Sequence, residues 1–396
     1  MKWMVARRVA EAMEGERCAF TVMAKVVGGL CNLRCTYCYY SEKPGLLAQE
    51  MPRMSDEVLE SYVNRVFDLD EDGQAEFVWS GGEPLLAGLP FFERAMELQE
   101  RRGGGAKNSI RTNGTLLDDG WCDLLAKHGF HVEVCIDGPK ELNDVYRVGH
   151  DGGTFDKVMA GVDLLKKHGV RFGALARVHA ANESHPREVY GFLRGIADRM
   201  QFTPVVEREA AFHELEDGQC FSMPPGIKGP PVQSKSVEPF SVSPEGFGSF
   251  LAEVFDSWME LDGGLKTVVL FDATARNMLG NQGGTCAHNP LCGHGVSVEV
   301  NGDVYSCERY AYPKYKLGNL LETPLSQIVE RNRPFCMNKT EGLPDDCFDC
   351  PYITLCFGGC PSHRIVPSED GLRGKNYLCE GYKKFFSHFI ENMQQM

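Results

Sequence analysis

The chain predicts an α/β architecture: a partial (β/α)6 TIM-like barrel followed by a cysteine-rich module. Three observations carry that expectation. Between about Phe20 and Phe202, short apolar runs alternate with longer amphipathic stretches, and repeated strand–helix units imply a parallel sheet. Several of those runs exit into Gly-Gly, Asn-Gly or Asp-Gly, at the strand ends where the sites of such sheets gather. Eight of the sixteen cysteines fall into close spacings after residue 285.

In order, Thr21 to Val27 reads as a strand that feeds a loop of cysteines. Ser55 to Leu69 reads as a helix, with Ser55 as its cap and Leu59, Val63, Val66 and Phe67 on one face. Ala75 to Trp79 is a strand ending in Ser80-Gly81-Gly82-Glu83-Pro84, Phe91 to Arg101 a helix, Asn108 to Thr112 a strand and Trp121 to His128 a helix. His131 to Ile136 is a strand closed by Asp137-Gly138-Pro139. Phe155 to His168 is a helix, Val170 to Val178 a strand, His185 to Arg199 a helix and Gln201 to Val206 the last strand. Glu207 to Phe240 is rich in Pro and Gly and reads as a linker with some substrate contact. Ser243 opens a helix to about Leu261 whose stripe of Phe247, Phe250, Leu251, Val254, Phe255 and Met259 belongs to the core. The expected division is an extension over 1–19, the barrel over 20–235, a linker helix region over 236–285 and the cysteine-rich domain over 286–396.

A chain of 396 residues exceeds the usual single domain, and a hydrophobic fraction of 43% supports a proper core. With 55 acidic against 41 basic residues the net charge is -14, which argues against a nucleic-acid surface. No apolar run approaches the ~18 residues of a membrane span. The first twenty residues carry Arg7, Arg8, Glu11, Glu14, Glu16 and Arg17 and show no signal-peptide core, so a cytoplasmic protein is expected. In a reducing compartment, clustered cysteines are better read as metal ligands than as a disulfide framework. Eleven fall into spaced motifs, which leaves Cys18, Cys122, Cys135, Cys220 and Cys336 for ordinary packing.

The first motif is Cys31-x3-Cys35-x2-Cys38. Four thiolates normally hold a four-iron cluster, so three leave one iron open to a substrate or cofactor. Zinc and plain packing are the alternatives, but zinc sites more often pair C-x2-4-C knuckles and buried cysteines keep no fixed spacing. The second is Gly81-Gly82-Glu83-Pro84, where glycines permit close backbone approach to a ligand and a carboxylate can complement an amine. The third runs Cys286-x5-Cys292-x14-Cys307 and Cys347-x2-Cys350-x5-Cys356-x3-Cys360-x18-Cys379. Those eight thiolates suffice for two more four-iron clusters, or for a pair of zinc knuckles in a binding module.

Together the first two motifs, with Tyr37 before the last cysteine, resemble the radical S-adenosylmethionine (SAM) superfamily, and the third resembles its SPASM iron-sulfur extension. Over nearly the whole chain the resemblance is to anaerobic sulfatase-maturating enzymes. It is carried further by Thr112-Asn113-Gly114-Thr115-Leu116-Leu117, Asp137-Gly138-Pro139, Phe202-Thr203-Pro204-Val205-Val206-Glu207, Leu317-Gly318-Asn319 and Asn376-Tyr377-Leu378-Cys379-Glu380-Gly381-Tyr382. The resemblance implies three [4Fe-4S] clusters. One sits on Cys31, Cys35 and Cys38 and chelates SAM. A first auxiliary cluster sits on Cys286, Cys292, Cys307 and Cys360, and a second on Cys347, Cys350, Cys356 and Cys379. It implies SAM contacts at Tyr37, Gly81, Gly82, Glu83, Cys135, Arg147 and Met200.

Glu308 stands where the family has a catalytic aspartate and is the candidate base. Ser80 replaces a glutamine, Cys135 a serine and Ser362 a lysine. The implied activity is removal of a side-chain hydrogen atom from a peptide or protein, with oxidation of a sulfatase Cys or Ser to formylglycine. The alternative product is a C-C or C-S crosslink in a small ribosomal precursor peptide; a non-enzymatic iron-sulfur carrier is a third reading. A flavodoxin- or ferredoxin-like electron donor is expected, with no nucleic acid and no membrane partner.

Overall fold

The computed structural model describes residues 2–14, 21–41, 43–47, 51–70, 73, 75–211, 221–227, 236–281, 283–292, 295–369 and 371–394. Cys18, Cys220 and much of the Pro/Gly-rich stretch lie outside them. A helix, α1 (Lys2–Glu14), precedes a ten-stranded sheet that runs through both halves of the chain. Its strands are β1 (Thr21–Lys25), β2 (Glu76–Ser80), β3 (Lys107–Thr112), β4 (His131–Cys135), β5 (Phe172–Val178), β6 (Arg199–Pro204), β7 (Thr267–Val268), β8 (Gly295–Val298), β9 (Asp303–Tyr305) and β10 (Lys316–Asn319). In space they run β10-β9-β8-β1-β2-β3-β4-β5-β6-β7.

β1 to β6 are parallel neighbours in chain order. Parallel neighbours need a crossover, and α2 (Asp56–Leu69), α3 (Leu89–Arg101), α4 (Asp119–Lys127), α5 (Phe155–Lys167) and α6 (Pro186–Ile196) supply them. Ser55 caps α2 by accepting from the Val58 amide, as its sequence suggests. Because all six strands point the same way, Lys25, Ser80, Thr112, Cys135, Val178 and Pro204 end along one rim. Trp79 anchors the core beneath it, with Phe77 stacked on its ring and Tyr62, Phe91 and Phe92 meeting it edge-on.

The segment 236–285, expected as a linker helix region whose apolar stripe belongs to the core, is part of the packed body. In α7 (Pro244–Asp262) Phe250, Leu251 and Val254 are fully buried, and one core runs from Val22 through Phe250 to Val296 and Phe385. Both edges of the open six-stranded sheet are covered by later chain. β8 pairs parallel with β1, Thr21 opposite Gly295 and Ala24 opposite Val298, while β7 pairs with β6. An uncovered edge leaves a row of unpaired N–H and C=O groups, which is the physical reason for both additions. The chain continues through α8 (Val269–Met278) and α9 (Leu325–Glu341) to α10 (Cys379–Met393), which packs on α7. Among the described residues no helix is long and apolar enough to cross a membrane.

Candidate active site and metal centres

The cysteine loop is clamped from both sides by backbone. On one side Gly82 donates to the Gly28 carbonyl (2.7 Å) and Glu83 to that of Leu30 (2.9 Å); on the other Arg34 donates to Val148 (2.8 Å) and Thr36 to Tyr146 (3.0 Å). A Cβ at Gly82 would lie 2.1 Å from the Leu30 oxygen, so only glycine lets these loops interlock. Glu83 is fully buried. Its carboxylate already accepts from the Leu85 amide (3.1 Å), the Thr112 hydroxyl (2.7 Å) and the Asn113 amide (2.8 Å). Burial pushes this carboxyl up to about 7 against the lowering of those three bonds. Its visible work is to tie the exits of β2 and β3 together.

The Cys31 sulfur receives the Leu33 amide (3.3 Å) and the Asn113 side-chain amide (3.8 Å). Burial pushes the bare thiols up, Cys31 to about 11 and Cys35 to about 12. Metal binding at these thiols would require them to shed their protons, since the ligand is the thiolate. Beside them the Tyr37 hydroxyl donates to Asp137, whose carboxylate also pairs with Arg147 (3.0 Å) and His179 (3.5 Å). Burial raises the Asp137 carboxyl, but Arg147, His179 and Tyr37 outweigh it and hold it well below the usual range. Asp137 is thus the hub of this wall, which an Asp-Gly-Pro strand exit does not announce.

Cys135 ends β4 on the same rim, half-buried. Met200 does not join it. It is the second residue of β6, paired with Ala174 and Val268 near the strand's start, and fully buried in the core.

Glu308 reaches the rim from the C-terminal half. Lys25 holds one oxygen at 2.6 Å and Arg111 the other at 3.7 Å, and Arg111 also pairs with Glu133 (3.2 Å). Burial raises the Glu308 carboxyl, but Lys25, Arg111 and Arg177 hold it well below the usual range. The Lys25 ammonium, 2% exposed, also donates to the Ser80 hydroxyl (3.3 Å) and lies 4.7 Å over the Tyr40 ring. Ser80 and Glu308, two of the positions where the chain departs from the pattern it resembles, therefore meet at one lysine.

Next to them Arg309 pairs with Glu207, lies 4.2 Å over Tyr39 and meets His363 at 3.3 Å. Phe221 and Phe240 of the Pro/Gly-rich stretch pack with Tyr37 and Val205. Its described part therefore packs against the cysteine loop, where the sequence suggested a linker with some substrate contact.

The C-terminal thiols gather as two sets. Cys347, Cys350, Cys356 and Cys379 line one pocket of about 440 Å³. Cys292 is hydrogen-bonded to Cys286, and Cys307 lies within electrostatic reach of Cys286 and Cys360. Burial pushes Cys347 and Cys356 up to about 12. None of the fourteen described cysteines is in a disulfide. Among the described residues no three His, Cys, Asp or Glu groups converge tightly enough for a single metal ion. Thiolates at the corners of a four-iron cluster stand farther apart than the ligands of one ion, so both sets fit a cluster by donor type, number and enclosure.

Comparison with known proteins agrees with this chemistry. The radical SAM superfamily profile matches residues 26–193, and the SPASM iron-sulfur cluster-binding domain matches 292–351. A serine-type anaerobic sulfatase-maturating enzyme of Bacteroides thetaiotaomicron is 41% identical over 384 residues, 95% of this chain and 90% of that one. A cysteine-type enzyme of Clostridium perfringens is 33% identical over 376 residues, 93% and 95% of the two chains. The solved structure of anSMEcpe with bound AdoMet superposes with a TM-score of 0.80 at 31% identity, covering 95% of this chain and 98% of that one.

Proposed function

The chain belongs to the anaerobic sulfatase-maturating enzymes of the radical SAM superfamily, and on that premise we propose that it oxidises a serine or cysteine side chain of a sulfatase to formylglycine. Its cofactors are [4Fe-4S] clusters and SAM. Cys31, Cys35 and Cys38 would hold the cluster that binds SAM, Cys286, Cys292, Cys307 and Cys360 a first auxiliary cluster, and Cys347, Cys350, Cys356 and Cys379 a second. When bound, these groups supply one-electron chemistry: removal of a hydrogen atom from an unactivated carbon, and acceptance of the electron left behind.

The chain's own residues do the rest. Tyr37 and Arg147, locked on Asp137, wall the SAM side of the mouth. Glu308 receives the proton that leaves the substrate hydroxyl or thiol, at a carboxylate oxygen that Lys25 and Arg111 keep ionised and aimed. Phe221, Phe240 and Tyr39 cover the mouth and keep water from the reacting carbon. The observation that carries the reading is Glu308 itself: an ionised carboxylate, adjoining Cys307, delivered to the rim of the barrel.

A flavodoxin- or ferredoxin-like protein is the proposed reductant, because the first step needs single electrons. A reducing cytoplasm is the proposed compartment, because eleven ligand thiols must stay unoxidised. The test is mass spectrometry of serine- and cysteine-containing sulfatase peptides after anaerobic incubation with reconstituted enzyme, SAM and reductant. An aldehyde on either peptide supports the reading. SAM cleavage with both peptides unchanged, and a crosslink in a short precursor peptide instead, overturns it.

A further inference from the structure

Two buried cations stand among the C-terminal thiols without a carboxylate to balance them. Lys339, on α9, is fully buried, and its ammonium donates to the carbonyl oxygens of Cys286 (2.9 Å), Ala287 (2.9 Å) and Asn289 (2.5 Å). Three acceptors on one nitrogen use all three of its hydrogens, so this geometry belongs to the charged ammonium. Arg364, 4% exposed, donates to the Lys339 carbonyl (2.8 Å) and to those of Phe357 (3.3 Å) and Gly358 (3.4 Å). A guanidinium does not lose its proton in a protein.

Among the described residues neither cation is paired with Asp or Glu; carbonyl oxygens are their only hydrogen-bond partners. A buried charge is costly unless an opposite charge offsets it. The groups that can become anionic beside Lys339 are Cys286, Cys292 and Cys360; those beside Arg364 are Cys347 of the second set, Tyr310, Cys292 and Cys360, so Arg364 stands between the two sets. Two thiols of the first set, Cys292 and Cys360, stand beside both cations, and Cys286 beside Lys339 alone. Thiolates on a cluster are the counter-charge that this part of the fold lacks.

We propose that Lys339 and Arg364 are the counter-charges of the first auxiliary cluster and raise its reduction potential, so that it accepts the electron released when the substrate is oxidised. This rests on the cluster reading above. One electron enters the cluster and no proton moves with it, so the added negative charge must be stabilised by fixed positive charge, and net charge and hydrogen bonding are what set such potentials. Lys339 has a second task as a positioning residue: its three bonds gather the loop that presents Cys286. Both cations act on the cluster through space and through that loop, not on the substrate.

The experiment is an EPR-monitored redox titration of the full-length, anaerobically purified protein in a Cys31/Cys35/Cys38→Ala background, which leaves the auxiliary signals alone. Iron content is measured on every sample. Lys339→Met is expected to lower the equilibrium constant for one-electron reduction at least tenfold, about 59 mV, and Lys339→Arg to restore it. An unchanged potential in Lys339→Met, or an equal fall in Lys339→Arg, overturns the electrostatic role. Should Lys339→Met fail to retain its auxiliary iron, Arg364→Gln is compared with Arg364→Lys in the same way: a fall that the lysine restores supports the role, and an unchanged potential or an equal fall in both overturns it. If the parent protein holds no auxiliary iron, it is the cluster reading that fails, which separates the two.

Discussion

Cys31, Cys35 and Cys38 lie within eight residues of one another, on a loop clamped by neighbouring backbone. The eight C-terminal thiols are spread from Cys286 to Cys379, and only folding sorts them into two groups. Their electrostatic surroundings differ as much as their spacing. At the N-terminal site the buried Arg147 is matched by the buried Asp137, so the wall contributes little net charge. At the C-terminal sites Lys339 and Arg364 have, among the described residues, no carboxylate partner, while Asp345, Asp346, Asp349 and Glu369 gather instead at the pocket of the second thiol set. A site that must give an electron to SAM gains nothing from fixed positive charge, whereas a site that must take one from substrate does. The two halves use the same ligand and differ in what surrounds it.

That contrast can be broken most sharply at the thiols. Replacing Cys31, Cys35 and Cys38 together by alanine should abolish reductive SAM cleavage while iron falls from about twelve to about eight per chain. A proportional loss of auxiliary iron would show that the two regions are not independent. Glu308→Gln should lower aldehyde formation about 100-fold and leave SAM cleavage in place. Parallel loss of both activities would make Glu308 a structural part of the first auxiliary site rather than the base.

Lys25→Met removes the group on which Ser80 and Glu308 converge. It should cost about 2 kcal/mol in unfolding free energy, because the buried end of Glu308 loses its nearest partner, and chemical denaturation at constant iron content measures it. Glu83 offers the mildest test. Its carboxyl is raised to about 7 from the usual 4.5, so the folded state binds a proton more tightly than the unfolded one. Its contribution is full below about pH 4.5 and declines as pH rises towards 7. In Glu83→Gln that part of the stability–pH slope should flatten, and an unaltered slope would assign it to another group.

The six strand–helix units were legible because each is a local pattern: Ser55 caps its helix through three residues of chain, and Ala75 to Trp79 alternates within one strand. The three-thiol loop was legible for the same reason. Met200 shows the limit of such patterns: a family correspondence places a residue on a strand but does not say how deep in the sheet it lies, and the register puts it second in β6, opposite Ala174. The stretch from Glu207 to Phe240 was harder to read, because Pro and Gly breaks look alike in a linker and in chain that packs against a neighbouring loop, as Phe221 and Phe240 do.

The sequence by itself determined the chemistry: eleven spaced cysteines, a glycine pair at a strand exit and an acid after Cys307, each a pattern over a few residues. Only the tertiary structure decided which partners those groups keep. Glu83 is consumed inside the fold, Asp137 binds Tyr37 and Arg147, Glu308 meets Lys25 from 283 residues away, and Lys339 sits at the Cys286 loop from 53 residues away. Pairings of that range leave no periodicity in the chain. They arise from packing, which brings charges into a medium where each must find a partner or go unbalanced.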